Sequence, residues 1–199
     1  MERPQVALTA SGGSATQAER LFLAVALDDE ARAALASRID AALGDRHMPG
    51  RAVLVPSWHI TLRFLGKTTE TERDILLGYL HEHVTTAAFT LRFATIGAFP
   101  RPKRATVLWL GVDRGTHELA DLGALCEEAA QAAGRSPEER PFHAHLTLSR
   151  IRPPVDVTWL TDGVEPIGVR LDVDEITLFR SVLGGNRPAR YEVVDTVAL

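Results

Sequence analysis

Apolar residues first gather at Arg20-Leu21-Phe22-Leu23-Ala24-Val25-Ala26-Leu27, a run without polar alternation that suits a central strand buried on both faces. Asp28 or Asp29 then offers a helix cap. Ala31, Leu35, Ile39 and Ala42 or Leu43 recur at helical spacing up to Gly44, predicting an amphipathic helix. The pattern switches to strict alternation at Trp58-His59-Ile60-Thr61-Leu62-Arg63-Phe64-Leu65-Gly66, a strand stopping at Gly66. Thr69 to about Val84 reads as a second helix, with Ile75, Leu76, Tyr79 and Leu80 inward. Strand-like stretches follow at Phe89 to Ile96 and Ala105 to Val112, parted by the basic, proline-containing loop Phe99 to Arg104. A third helix begins at Thr116 or His117, runs to Ala133 and stops at Gly134. A strand around His145, an interruption at Pro153-Pro154, a long strand from Val169 to Phe179 and a closing strand from Ala189 to Val194 complete the pattern. Ser181 to Pro188 reads as a hairpin turn. Several strands follow one another directly, so the class is α+β rather than a doubly wound sheet.

One stretch is written twice. Phe142-His143-Ala144-His145-Leu146-Thr147-Leu148-Ser149-Arg150 repeats the order His, apolar, Thr, apolar of the stretch at His59. Side chains i and i+2 of a strand leave the same face. His59 and Thr61 therefore point one way while Ile60 and Leu62 enter a core, and His145 and Thr147 separate in the same manner from Leu146 and Leu148. The repeat hints at duplicated halves, roughly 20–85 and 86–195 with some strand exchange, whose half-sites face one cleft.

Composition narrows the chemistry. The 199 residues suffice for one substantial core or two small lobes that share one, and 45% apolar with 24% charged residues is ordinary for a globular chain. A net charge of -4 argues against a protein that coats nucleic acid through a broad basic surface, though not against one that reads a phosphate. Cys126 is the only cysteine, which excludes an intramolecular disulfide and a Cys-based zinc site, and its helical surroundings predict a structural thiol. No apolar run reaches the ~20 residues of a membrane span, and no signal-peptide pattern follows Arg3, so a cytoplasmic location is expected. Residues 1 to 18, with Ser11-Gly12-Gly13-Ser14, are expected to be a disordered leader, leaving 19 to 199 as a single domain.

Two histidines on opposite sides of a phosphorus centre divide the work of an in-line displacement, one activating the nucleophile and the other protonating the leaving oxygen. A threonine hydroxyl two residues along each strand donates to a non-bridging phosphate oxygen. Neither step calls for a metal or cofactor. The sequence here resembles the 2H phosphoesterase superfamily, and within it the bacterial RNA 2′,3′-cyclic phosphodiesterases also named 2′-5′ RNA ligases. The resemblance rests on Arg20 to Val25, Trp58 to Gly66, Phe99-Pro100, Val107-Leu108-Trp109-Leu110-Gly111-Val112, Pro141-Phe142 with His145 to Arg150, and Leu178-Phe179-Arg180-Ser181. Ala144 departs from it, where the family often has proline. The resemblance implies two similar α+β lobes around a central cleft, His59 as general acid for the leaving 3′ oxygen, and His145 as the base that activates water. It also implies Thr61 and Thr147 as phosphate holders, and opening of a terminal 2′,3′-cyclic phosphate to a 2′-phosphate without a metal.

Other residues enter as candidates. Arg63 lies at i+4 from His59, on its face by ideal alternation, and is a candidate for the substrate backbone or a solvated strand end. Arg150 matches an arginine the family has after its second motif, yet ideal alternation turns it away from His145 unless a bulge intervenes. Arg101, Lys103 and Arg104 are candidates for a rim that meets RNA phosphates. Phe64 and Phe142 read as core packing in preference to base stacking. His47, His81, His83, His117 and His143 read as bystanders: no carboxylate pattern accompanies His143 as a metal ligand, His81 and His83 lie two apart on a helix and cannot face each other, and His47 and His117 fall in loop or cap positions. Alternative readings are a phosphodiesterase for a small cyclic nucleotide, a non-catalytic RNA-end binding module, and a metallohydrolase.

Overall fold

The computed structural model describes residues 18–162, 165–184 and 187–199; the expected leader lies, apart from Ala18, outside them. The chain gives β1 (Glu19–Ala26), α1 (Asp29–Leu43), β2 (Arg51–Ala52), β3 (His59–Thr68), α2 (Glu70–His83), β4 (Phe89–Phe99), β5 (Ala105–Arg114), α3 (Thr116–Ala132), β6 (His145–Val155), α4 (Thr158–Thr161), β7 (Arg170–Val173), β8 (Glu175–Gly184) and β9 (Arg187–Ala198). Local signals explain the helix ends. Asp28 accepts a bond from the Ala31 amide at 2.6 Å, and Gly44, at φ +58°, closes α1. A reciprocal capping box between Thr69 and Glu72 starts α2.

All strands join one antiparallel sheet in the order β7-β4-β5-β6-β3-β1-β8-β9, with β2 also paired to β6. The order falls into two halves of four, β3-β1-β8-β9 and β6-β5-β4-β7, which meet where β3 pairs with β6 through Ile60 and Leu146. The two histidine strands are thus the innermost pair. The C-terminal hairpin β8–β9 returns to the first half, which is the expected strand exchange. The fold is α+β, as the pattern predicted.

The faces differ sharply. Leu21, Leu23 and Val25 enter the large core with Leu35 of α1, Leu76 and Leu80 of α2, and Leu119, Leu122 and Cys126 of α3. Phe22 and Ala24 alternate to the opposite face, where with Phe179 they form a separate small cluster flanked by Ala26 and Tyr191 and touched by no helix. Burial of the Cys126 thiol raises its pKa far above the ordinary range, as befits a structural cysteine.

The structure corrects several boundaries. The expected strand from Val169 to Phe179 is two strands at opposite halves of the sheet, because the buried positions slip from Leu171 and Val173 to Ile176 and Leu178. Pro153 and Pro154 lie inside β6, in an irregular stretch between Arg150 and Val155 that leaves their missing amides unneeded for pairing. β3 runs past Gly66 to Thr68, with Gly66 at φ +72° beside a register shift. Ile75, expected inward, is 47% exposed. In the expected hairpin turn, Gly185 and Asn186 lie outside the described residues; β8 and β9 pair antiparallel up to Gly184 and Arg187.

Candidate active site

The pairing of Ile60 with Leu146, both fully buried, sets the register of the site. Continued one residue either way, it brings His59 opposite Thr147 and Thr61 opposite His145. Directly opposed residues of an antiparallel pair have Cβ atoms about 5 Å apart. Each histidine therefore neighbours both its own threonine along the strand and the other motif's threonine across it. All four side chains leave the helix-free face and all are partly exposed.

The rings are held alike. His59 Nδ1 lies 2.8 Å from the Ser57 carbonyl oxygen, and His145 Nδ1 lies 2.7 Å from that of His143. A carbonyl only accepts, so each Nδ1 carries a hydrogen and each Nε2 is the nitrogen left for chemistry. Thr61 Oγ1 donates to His59 Nε2 at 3.1 Å. Burial pushes the His59 pKa down to about 4, the Ser57 carbonyl opposes it, and the positive ends of His145 and Arg150 add to the depression. His145 is lowered by the same causes, burial first, with His143 and Arg150 as the charges.

Arg150 and Arg63 exchange the faces that plain alternation gives them. In β6, Trp109 and Leu108 of β5 pair with Thr147 and Ser149, so Leu148 is an extra residue. This bulge buries Ser149 and turns Arg150 to the side of His145, opposite Val107. An equivalent bulge stands in β3, where Ala24 and Leu23 pair with Thr61 and Arg63 and leave Leu62 over. Arg63 is turned to the helix face. Its Nε lies 2.5 Å from Glu127 Oε2 of α3, and its guanidinium donates to the carbonyl oxygens of Phe64 and Ser136. The expectation that Arg63 shares the face of His59 is therefore corrected; it ties β3 to the segment leading into β6. Phe64 takes the cleft position instead, 59% exposed with its ring 5.8 Å from that of Phe22, so it is not core packing. Phe142 packs on Gly123 of α3 and is 38% exposed.

Aromatic walls, which single-strand patterns did not single out, frame each histidine. His59 sits 4.9 Å from Phe22 and edge-on to Tyr191 at 5.1 Å. His145 sits edge-on to Phe99 at 5.4 Å, with Trp109 and His143 beside it. The readable signal for the Trp109 wall was its flanking glycines, since Gly97 and Gly111 lie under the indole with no room for a Cβ. Among the described residues, no helix is long and apolar enough to cross a membrane, and no three His, Cys, Asp or Glu side chains cluster as metal ligands.

Residues 20–185 match the 2′-5′ RNA ligase superfamily. The chain belongs to that superfamily. Within the 2′-5′ RNA ligase superfamily it is 30% identical to the RNA 2′,3′-cyclic phosphodiesterase of Aeropyrum pernix over 156 residues, which is 76% of this chain and 88% of that protein. It is also 30% identical to the Escherichia coli protein of the same name, over 68% of this chain and 73% of the relative. Among solved structures, E. coli LigT in apo form superposes with a TM-score of 0.69 at 28% identity, covering 92% of this chain and 98% of LigT. A further crystal structure has LigT complexed with 3′-AMP, with a TM-score of 0.70 at 26% identity and the same coverage.

Proposed function

We propose that this member of the superfamily is a metal-independent RNA 2′,3′-cyclic phosphodiesterase that opens a terminal cyclic phosphate to a 2′-phosphate. The observation that carries the reading is the innermost strand pair, which sets two carbonyl-anchored imidazoles and two threonine hydroxyls on one open face. The name shared by relatives at about the same identity in archaea and bacteria supports the substrate class.

In the proposed reaction a water attacks phosphorus in line with the P–O3′ bond. His145 Nε2 takes the water proton, and His59 delivers a proton to O3′ as that bond breaks. His145 is the less deeply buried ring, which suits the residue that must meet solvent. Thr61 and Thr147 donate to the non-bridging oxygens, and Arg150 supplies positive charge as negative charge gathers on them. The anion itself favours the imidazolium at His59, so substrate binding raises the depressed pKa of the acid. Both proton-transfer groups are side chains of this chain.

The test is incubation of an RNA ending in a 2′,3′-cyclic phosphate, in EDTA, with product analysis. Wild type should yield the 2′-phosphate at undiminished rate, and His59→Ala or His145→Ala should each lose at least ~100-fold. Loss of activity in EDTA that added metal restores would overturn metal independence, and near-wild-type activity in either variant would overturn the acid–base pair.

A further inference from the structure

Several cations of this chain are neutralised at once: Arg32, Arg63, Arg73, Arg92, Arg135 and Arg180 each meet a carboxylate. A run of five arginines does not. Among the described residues, no carboxylate lies within 4.0 Å of Arg51, Arg150, Arg152, Arg101 or Arg104. In a chain of net charge -4 such a concentration is conspicuous.

Their placement is ordered along β6. Ile151 is buried in the core, so its neighbours Arg150 and Arg152 turn to the opposite side, continuing the line begun by His145 and Thr147. Arg51 of β2 is paired directly with Arg150. Like charges directly opposite each other weaken a strand pair, yet the backbone enforces this one. Gly50, at φ +76°, is pressed against β6 so closely that a Cβ there would stand 2.5 Å from the Arg150 carbonyl oxygen and 2.9 Å from Ile151 Cα. Beyond them, in the irregular stretch before Val155 returns to pair with Ala105, Pro154 borders a cavity of about 630 Å³ whose lining includes Arg101, Arg104 and Thr106. The turn carrying these arginines is braced from both sides: Arg104 N donates to Arg101 O at 3.0 Å, and Val157 N donates to Pro102 O at 2.9 Å.

A row of exposed, unneutralised guanidiniums that leads away from a phosphate-handling centre is suited to a polyanion with regularly spaced charges. We infer that Arg51, Arg152, Arg101 and Arg104 form an extended subsite for the phosphodiester backbone of single-stranded RNA on the 5′ side of the cyclic end. The inference rests on the proposed activity for its direction and deepens it. The terminal nucleotide occupies the histidine cleft with Arg150, and the body of the strand follows β6 toward the cavity. A cyclic mononucleotide has no charge to place there. The strip therefore favours RNA ends over free nucleotides.

The experiment compares a short RNA ending in a 2′,3′-cyclic phosphate with cytidine 2′,3′-cyclic phosphate, using wild type, Arg51→Ala and the double variant Arg101→Ala/Arg104→Ala. The expected result is a loss of about 10-fold in kcat/KM on the RNA, with less than about twofold change on the mononucleotide and a shallower salt dependence of KM on the RNA. Equal losses on both substrates, or none on either, would overturn the strip. Anisotropy of a labelled RNA ending in a 2′-phosphate reads the same surface without turnover, and both variants should bind it more weakly. Weaker binding by the variants, should wild type hydrolyse neither substrate, would uphold the strip and overturn only the proposed activity. Unchanged binding would overturn the strip. Melting temperatures of the variants should match wild type, because all three side chains are exposed.

Discussion

At the scale of single residues, the site is a matter of which imidazole nitrogen is committed. Both rings give Nδ1–H to a carbonyl two residues earlier, Ser57 and His143 respectively. That bond fixes the ring's orientation and leaves Nε2 uncommitted to the backbone. His59 has a pKa of about 4 in the folded protein against ~6.5 in an unfolded chain. The unfolded state therefore binds more protons than the folded one between those values, and stability falls as pH drops from about 6.5 to about 4. Above that window His59 contributes no pH dependence. Urea unfolding at pH 7 and pH 5 should show the decrease, and His59→Gln should reduce it. Proton-detected titration of the ring should place its transition near pH 4 and move it upward when inorganic phosphate is added, since an anion favours the imidazolium. A His59 transition at or above 6.5 without ligand would contradict the burial argument.

At the scale of elements, bulges decide what reaches the cleft. Leu62 and Leu148 each add one residue to a strand, and each reverses the faces of the residues just after it, until in β3 a second shift before Gly66 restores them. That is why Arg150 faces His145 while Arg63 faces α3, although both lie just after a His-Thr pair. Much of the rest was legible: Asp28, Gly44 and Thr69 marked helix ends through local hydrogen bonding, and the duplicated alternation marked the two catalytic candidates. The bulges left a fainter trace. Buried Leu146 and Leu148 are followed by buried Ile151, a slip of one in the alternation that a strict period-two reading passes over. The break between β7 and β8 left the same kind of slip. The aromatic wall at His59 was not legible, because Phe22, Phe179 and Tyr191 come from three strands that only tertiary pairing brings to His59. Close pairing also predicts a cost. A methyl at Gly97 would stand 2.3 Å from the Trp109 ring, so Gly97→Ala should destabilise the protein by about 1–3 kcal/mol and displace the indole beside His145. Thermal unfolding and kcat/KM should fall together; an unaltered melting temperature would refute the packing account.

At the scale of the molecule, two halves of a sheet are joined by the innermost pair of strands and braced by Arg63, whose bonds to Glu127 and Ser136 span from β3 to α3 and the segment before β6. The halves are not consecutive in the chain. The hairpin β8–β9 follows both motifs in the chain, yet it flanks β1 and brings Phe179 and Tyr191 against His59. A nascent polypeptide leaving the ribosome would thus carry both motifs before the first of them has its wall, and the half built on β3 and β1 would wait, with one edge of β1 unpaired, for β8 and β9. A truncation ending at Asp174 keeps every candidate catalytic side chain, but should show no turnover and should expose the apolar edge of β1 to aggregation. Supplying the missing hairpin as a separate peptide should restore activity in proportion to how much of it binds.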